Sequence, residues 1–193
     1  MNICVFGASS DRIDHRYFDA AYELGVLIAR GGHRLVFGGG KEGLMGACAR
    51  GVLSEGGRPL GIAPLFFDET GILMKDNCDL VFTDTMAERK SCMEDEADAF
   101  IALPGGIGTF EEFTEVLTLR QLGRHCKPIA LLNTLGYYNA LEAMLREASE
   151  KGFMSAEVHR HYALCHDPAA ALSHVTRSVS VQNAPASLSS YSR

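Results

Sequence analysis

The sequence lacks several features that would assign it to common classes of protein. It has no excess of positive charge, since the formal net charge of its 193 residues is −6, whereas general nucleic-acid and membrane-surface binders need a basic face. No window has the length and apolarity of a membrane span, and the chain opens on a strand-like run, Asn2–Phe6. We therefore expect neither a signal peptide nor a membrane anchor.

The six cysteines include no C-x-x-C pair, which favours a reduced, cytoplasmic protein. His159, His161, Cys165 and His166 are close together in the sequence, but their spacing matches no zinc-binding pattern. We expect neither a metal ion nor an organic cofactor.

Short apolar runs alternate with longer amphipathic segments along most of the chain. The apolar runs have the length of buried strands: Ile3–Phe6, Arg34–Phe37, Pro59–Ile62, Leu80–Thr83, Ala99–Leu103, Pro128–Leu132 and, later, Tyr162–Cys165. The other segments have helical length and spacing: Tyr17–Arg30, Leu44–Glu55, Met86–Glu96, Phe110–Leu122, Tyr138–Lys151 and Pro168–Thr176. This alternation predicts an α/β, Rossmann-like fold, in which a doubly wound parallel sheet carries helices on both faces.

The pattern also predicts the domain organisation. We expect a single domain over residues 1–177, because no linker or internal repeat divides it. Residues 178–193 are rich in Ser, Ala, Gln and Asn without any period, which predicts a disordered tail.

Unusual residue clusters follow four of the predicted strands. They are Gly7-Ala-Ser-Ser10, Gly38-Gly-Gly40 with Gly43-Leu-Met-Gly46, Asp84–Lys90 and Pro104–Glu112. In an open parallel sheet, ligands bind beyond the carboxyl ends of the strands. The clusters therefore predict one binding site at that edge of the sheet.

The Pro104–Thr109 loop lies between a predicted strand and a predicted helix. Its three glycines let the backbone expose N–H groups, and the following helix adds the positive end of its dipole. Together they predict a phosphate site. The alternative interpretation is a tight turn with Thr109 as the helix N-cap.

Two carboxylates, Glu111 and Glu112, follow this loop. Thr109-x-x-Glu112 has the pattern of a capping box, which is the structural explanation. The functional explanation is that a carboxylate beside a bound ribose phosphate stabilises an oxocarbenium-like transition state or orients the attacking water. The two roles are compatible.

Glu88-Arg89-Lys90 opens the helix after the fourth strand, and Thr85-x-x-Glu88 predicts a second capping box. Positive charges at a helix N-terminus oppose its dipole. Arg89 and Lys90 therefore predict a nearby anion, although a solvated first turn is the simpler alternative.

Two other segments are ambiguous. Three consecutive glycines at 38–40 exceed what a turn needs and predict close approach of a ligand to the backbone. The acidic loop Phe66–Asp79 either covers the base of a bound nucleotide or is plain surface.

Three motifs together resemble the LOG (Lonely Guy) family of cytokinin riboside 5′-monophosphate phosphoribohydrolases, whose members are often mislabelled lysine decarboxylases. They are Gly38-Gly-Gly-Lys-Glu-Gly-Leu-Met-Gly46, Met86-Ala-Glu-Arg-Lys90 and Pro104-Gly-Gly-Ile-Gly-Thr-Phe-Glu-Glu112. Gln121-Leu-Gly123, Lys127-Pro128 and Gly136-Tyr-Tyr138 are also similar, so the resemblance covers roughly residues 1–155. No lysine motif for pyridoxal phosphate is evident.

The resemblance implies hydrolysis of an N6-modified adenosine 5′-monophosphate to free base and ribose 5-phosphate. It also implies that Arg89 and Glu112 are the catalytic pair. The expected substrate-binding residues are Gly39, Gly40, Met45, Glu88, Lys90, Pro104, Gly105, Gly106, Ile107, Gly108, Thr109, Glu111 and Thr118. The alternative function is a nucleotide-binding or carrier protein that uses the same edge without turnover.

A homodimer is expected as well. The resemblance implies it, and the helix after the Gly-rich loop carries more apolar side chains than one helix on a sheet must bury. These side chains are Phe113, Val116, Leu117, Leu119 and Leu122. A helix fully covered by its own core is the alternative.

Overall fold

The computed structural model describes residues 1–179, and within that range the chain forms one sheet of seven strands with six α-helices. The strands are β1 (Asn2–Phe6), β2 (Arg34–Phe37), β3 (Leu60–Pro64), β4 (Asp79–Thr83), β5 (Ala99–Ala102), β6 (Ile129–Leu132) and β7 (Ala163–Cys165). The helices are α1 (His15–Arg30), α2 (Gly43–Ser54), α3 (Met86–Glu96), α4 (Ile107–Gln121), α5 (Asn139–Glu150) and α6 (Pro168–Val179). Short 3₁₀ turns occupy Leu65–Thr70, Thr134–Gly136 and Ala156–Arg160.

All strand pairs are parallel, in the order β4-β3-β2-β1-β5-β6-β7. This confirms the predicted Rossmann-like fold. The strand order changes direction at β1, which pairs with β2 on one side and with β5 on the other. Such a switch point opens a crevice at the carboxyl ends of the strands.

Side-chain alternation along the central strand divides the core into two layers. Ile3 and Val5 point to the face covered by α1, α2 and α6. Cys4 and Phe6 point to the face covered by α3, α4 and α5. Because both faces are covered, the central strands are apolar at almost every position, which is why they are recognisable as short hydrophobic runs.

The last helix begins at Pro168, as expected for a proline in the first helical turn. It continues to Val179, so the helix runs past the predicted domain boundary at residue 177. The predicted tail lies otherwise outside the described residues. None of the described helices is long and apolar enough to cross a membrane.

Candidate active site

The loops that follow β1, β2 and β5 meet at the carboxyl edge of the sheet, where they enclose a cleft of about 560 Å³. This volume is in the range of small-molecule sites. The first 3₁₀ turn and the start of α3 complete the walls. The lining residues are Gly7, Ala8, Ser9, Gly38, Gly40, Glu42, Met45, Phe67, Ile72, Leu73, Arg89, Gly106, Ile107, Gly108, Thr109 and Glu112.

The amino terminus of α4 opens into this cleft without a side-chain cap. Gly106 is the N-cap residue, and it has extended backbone and no side chain to accept a hydrogen bond. The first helical bond is donated by Phe110 to the Gly106 carbonyl. The backbone N–H groups before Phe110, in the first turn of α4, therefore have no acceptor within the helix. They present the positive end of the helix dipole to a ligand.

Neighbouring helices already have acceptors for their first N–H groups. Asp14 caps α1, and Thr85 caps α3. At α2, the N–H of Gly43 donates to Asp11 (2.8 Å), and the N–H of Leu44 donates to the Ala8 carbonyl (2.8 Å). Among helices α1 to α4, α4 therefore offers the best place for an anion.

Thr109 is not the N-cap of α4, contrary to the structural alternative considered from the sequence. The helix starts two residues earlier, at Ile107, and Thr109 is buried in its first turn. The Thr109 hydroxyl oxygen lies 2.1 Å from the place where a Cβ of residue 105 would be. Gly105 therefore must lack a side chain for the loop to pack on Thr109.

Arg89 and Glu112 form a buried ion pair at the floor of the cleft. The Arg89 Nη2 atom lies 3.1 Å from Glu112 Oε1, and the side chains are only 8% and 9% exposed. The Arg89 Nε–H also donates to the Ile62 carbonyl in the middle of β3 (3.3 Å). Burial raises the pKa of Glu112 above its ordinary value, and the charge of Arg89 opposes that rise.

This pair also corrects the interpretation of Glu112 as a capping residue. Because α4 begins at Ile107, Glu112 lies in the second turn and its carboxylate pairs with Arg89. The positive charges at the start of α3 predict a nearby anion, and for Arg89 the carboxylate of Glu112 is that anion. What the arrangement offers chemically is a carboxylate held in a low-dielectric floor beside a helix N-terminus that has no side-chain cap.

The capping pattern at α3 is confirmed. The N–H of Glu88 donates to the Thr85 hydroxyl (3.1 Å), and the Glu88 carboxylate accepts the N–H of Asp84 (3.0 Å). Glu88 is used at the helix terminus and does not line the cleft.

Several predicted substrate-binding residues lie away from the cleft surface. Lys90 pairs with Glu111 and with Glu115 (2.8 Å), so both Lys90 and Glu111 belong to an ion cluster between α3 and α4. Thr118 is on the exposed outer face of α4. Gly39, Pro104 and Gly105 are buried behind the lining. Gly40, Met45 and Gly106–Thr109 do line the cleft, with Arg89 and Glu112.

The cleft also contains residues that were absent from the predicted set. Ile72 and Leu73 fold back onto the glycine loop, where the N–H of Lys41 donates to the Ile72 carbonyl (2.9 Å) and residues Gly40 and Leu73 form a β-bridge. With Phe67 they form an apolar wall. These residues belong to the loop Phe66–Asp79, so part of that loop lines the cleft and is not plain surface, but nothing in the local sequence indicates the pairing with the glycine loop. Gly7–Ser9, by contrast, were detectable as the loop that follows β1.

Comparison with known proteins shows the relationship directly. The family model described as "possible lysine decarboxylase" matches residues 45–175. A cytokinin riboside 5′-monophosphate phosphoribohydrolase of Arabidopsis thaliana, LOG2, is 42% identical over 158 residues, covering 82% of this chain and 74% of the relative. A probable enzyme of the same name from Oryza sativa subsp. japonica, LOGL3, is 41% identical over 157 residues, covering 81% and 74%.

This chain belongs to the LOG family.

Solved structures show that the LOG fold is shared more widely. The molybdenum cofactor carrier protein of Chlamydomonas reinhardtii superposes with a TM-score of 0.71 at 23% identity, covering 93% of this chain and 98% of that one. The molybdenum cofactor binding protein of Rippkaea orientalis gives a TM-score of 0.70 at 22% identity, covering 91% and 95%. At this identity the likeness shows the fold alone.

The decarboxylase description of the family model does not fit the residues of this LOG cleft. A pyridoxal phosphate enzyme binds its cofactor through a lysine Schiff base. No lysine occurs among the described residues that line the cleft, and Lys90 is engaged by two glutamates outside it. Nor do three His, Cys, Asp or Glu side chains converge into a metal site within the described part of the chain.

Proposed function

We propose that this protein hydrolyses the N-glycosidic bond of an adenosine 5′-monophosphate, with or without an N6 substituent, to release the base and ribose 5-phosphate. The observation that carries the proposal is the buried Arg89–Glu112 pair on the floor of a cleft that also receives the uncapped N-terminus of α4. The names of the relatives support the same reaction.

The 5′-phosphate would bind at the α4 terminus, where backbone N–H groups and the helix dipole attract an anion. A ribose held in this way brings its anomeric carbon within a few ångströms of Glu112. As the bond from this carbon to the base breaks, the electron pair leaves with the base and positive charge develops on the sugar. The negative charge of Glu112 stabilises this oxocarbenium-like state.

Water completes the reaction by giving its hydroxyl to the anomeric carbon, while the departing base gains a proton. A carboxylate whose pKa is raised by burial is a stronger base than an exposed one, so Glu112 is suited to receive the proton of the attacking water. Arg89 holds Glu112 in place and limits the rise of its pKa. The apolar wall of Phe67, Ile72 and Leu73 is the surface available to the base.

We further propose that the protein acts as a homodimer in the cytoplasm. All six cysteines lie in the described part of the chain and none is paired, which supports a reducing compartment. The outer face of α4 supports self-association. The hydroxyls of Thr114 and Thr118 donate to carbonyls of their own helix, so these two side chains can be buried beside Leu119 and Leu122 without new hydrogen-bond partners.

The competing function is binding or transport of a nucleotide without turnover. The shared fold of the cofactor carriers does not decide between the two, because one fold hosts many functions. The Arg89–Glu112 pair favours catalysis, since a binder of anionic nucleotides gains nothing from a buried carboxylate in its cleft.

The test is incubation of the purified protein with AMP and isopentenyl-AMP, followed by chromatography of the released base. We expect free base from both. The corresponding nucleosides should react with kcat/KM lower by about a hundredfold or more, because they lack the phosphate that the α4 terminus binds. Binding of both nucleotides without release of base from either would support the competing function. Equal cleavage of adenosine would disprove the phosphate site.

A further inference from the structure

Residues Leu103–Gly106 lead from β5 into the proposed phosphate site, and we call them the anion-binding loop. Three consecutive carbonyl groups of this loop are occupied by donors from other segments. The carbonyl of Leu103 accepts the Tyr138 hydroxyl (2.6 Å), that of Pro104 accepts the N–H of Ala8 (3.1 Å), and that of Gly105 accepts the Tyr137 hydroxyl (2.5 Å). This matters for ligand binding because a carbonyl oxygen turned toward the cleft would repel a phosphate.

The direction of a carbonyl also fixes the direction of the next N–H. In a trans peptide unit the C=O and N–H point to opposite sides, and the described chain contains no cis peptide bond. Tyr137 does not line the cleft, whereas Gly106 does. With the Gly105 carbonyl held by Tyr137, the Gly106 N–H points away from Tyr137 and is available to a ligand.

The two tyrosines are presented by a strained turn before α5. Leu135 has φ 54°, which is uncommon for a residue with a side chain. Buried Asn133 fixes this turn, because its side-chain oxygen accepts the N–H of Tyr138 (2.7 Å) and its own N–H donates to the Cys165 carbonyl (2.6 Å). Strain of this kind persists where surrounding contacts over-determine the conformation.

We propose that Tyr137 is a positioning residue for the anion-binding loop. Its hydroxyl holds the Gly105 carbonyl away from the cleft, and thereby directs the Gly106 N–H toward the ligand's phosphate. The inference rests on the proposed function for the identity of the substrate and for the phosphate site at the α4 terminus, and phosphate binding is measured separately from turnover. Tyr137 suits this role better than Tyr138, because Tyr138 is fully buried and also packs in the core.

Tyr137→Phe is the direct test, because the ring keeps its edge contacts with Tyr17 and Tyr138 and only the hydroxyl is lost. Binding of inorganic phosphate and of ribose 5-phosphate is measured by calorimetry. We expect affinity for both probes to fall about tenfold, the effect of one hydrogen bond to the ligand. The KM for AMP should rise by a similar factor, with kcat changed less than about twofold.

Tyr162→Phe is the matched control. The Tyr162 hydroxyl also makes a hydrogen bond, to Glu142 (2.6 Å), but outside the cleft. This variant should bind both probes as the unchanged protein does. A second measurement is amide hydrogen exchange at Gly106, which should change in Tyr137→Phe and remain unaltered in Tyr162→Phe.

The outcomes separate the two proposals. If neither the unchanged protein nor its variants hydrolyse AMP, but Tyr137→Phe binds phosphate more weakly than the unchanged protein does, the proposed function fails and the positioning role remains. If Tyr137→Phe binds both probes with unchanged affinity, or shows unchanged exchange at Gly106, the positioning role is wrong. Weakened binding in both variants would also disprove it, because the loss would then follow from general destabilisation.

Discussion

Glu112 contacts both the cleft and the buried guanidinium of Arg89, and its charge can be removed with little change of shape. Glu112→Gln keeps the size and can still accept a hydrogen bond from Arg89. If the carboxylate acts on the glycosidic bond, turnover of AMP should fall by about 10²–10⁴. Thermal melting should show a folded protein. Near-normal turnover would exclude Glu112 as the catalytic group and direct attention to Glu42, the other carboxylate of the cleft.

Arg89→Ala is less informative than the sequence alone indicates. On sequence grounds, it removes a cation from an unfavourable helix start and leaves a stable protein. In the structure it also leaves the buried Glu112 without its partner, and removing one member of a buried pair costs about 3–5 kcal/mol. A loss of activity in this variant must therefore be read together with its unfolding free energy.

Gly38 controls the position of Arg89. A Cβ at residue 38 would lie 2.4 Å from Arg89 Nη2, so Gly38→Ala must displace the guanidinium. Moving the Arg89 guanidinium away from its position beside Glu112 should lower kcat by about a hundredfold, while the sheet stays intact. The comparison variant is Gly40→Ala, which also adds a methyl group to the cleft lining but leaves Arg89 in place, because its Cβ would meet only the Met45 methyl group at 3.7 Å. Equal kcat values for the two variants would refute the steric explanation.

At the scale of elements, the sequence predicts which strands and helices are present better than it predicts where each one begins and ends. Buried parallel strands are recognisable because nearly every side chain is apolar, and each predicted strand is present within a few residues. The prediction that Leu80–Thr83 is buried is wrong, because β4 is at the edge of the sheet and Val81 and Phe82 are 40% and 41% exposed. The start of α4 is missed by three residues, because Gly106 ends the loop through its backbone rather than through a capping side chain. The apolar wall is predicted only in part. The sequence leaves open whether the loop Phe66–Asp79 covers the base or is plain surface, because the position of this loop depends on backbone pairing between Gly40 and Leu73, which no local pattern encodes.

His125, in the segment between α4 and β6, should make the free energy of unfolding depend on pH. His125 accepts the N–H of Lys127 (3.2 Å) and donates to the Val116 carbonyl (2.9 Å), so its ring is neutral. Burial lowers the pKa of His125 from 6.5 to about 4. Between these values the unfolded chain binds more protons than the folded chain, so stability is complete above about pH 6.5 and declines as pH falls toward 4.

Urea unfolding at pH 7.5 and pH 5 checks this prediction. His125→Gln removes the titration, so the variant should lose less unfolding free energy than the unchanged protein over the same pH interval. His15→Gln is the control, because the His15 side chain is 83% exposed. An identical pH dependence in His125→Gln would show that other groups carry the effect.

At the scale of the whole molecule, α4 leaves less apolar surface for a dimer interface than the sequence predicts. Phe113, Val116 and Leu117 pack in the chain's own core, so they are unavailable to a partner. Leu119 and Leu122 remain, beside the threonines whose hydroxyls bond within the helix. The proposed dimer therefore depends on a smaller apolar face than the sequence indicates.

Light scattering at micromolar concentration tests the dimer, and we expect twice the 20.9 kDa mass of one chain. Leu122→Glu places a charge on the outer face of α4 and should shift the mass toward the monomer. Met144→Glu introduces the same charge at an exposed position on α5 and should leave the dimer intact. A monomer mass for the unchanged protein would overturn the proposal.

The central position of β1 has a consequence for synthesis on the ribosome. Of the seven strands of the sheet β1 is synthesised before the others, yet one of its two neighbours is β5, where Ile3 pairs with Ala99. At a synthesis rate of about 5–20 residues per second, the edge of β1 that pairs with β5 stays unpaired for several seconds. The loop proposed to bind the anion follows directly after β5, and its carbonyls are fully held only when Tyr137 and Tyr138 have also emerged. A nascent chain that stops before that point has most of the sheet but an unfinished site.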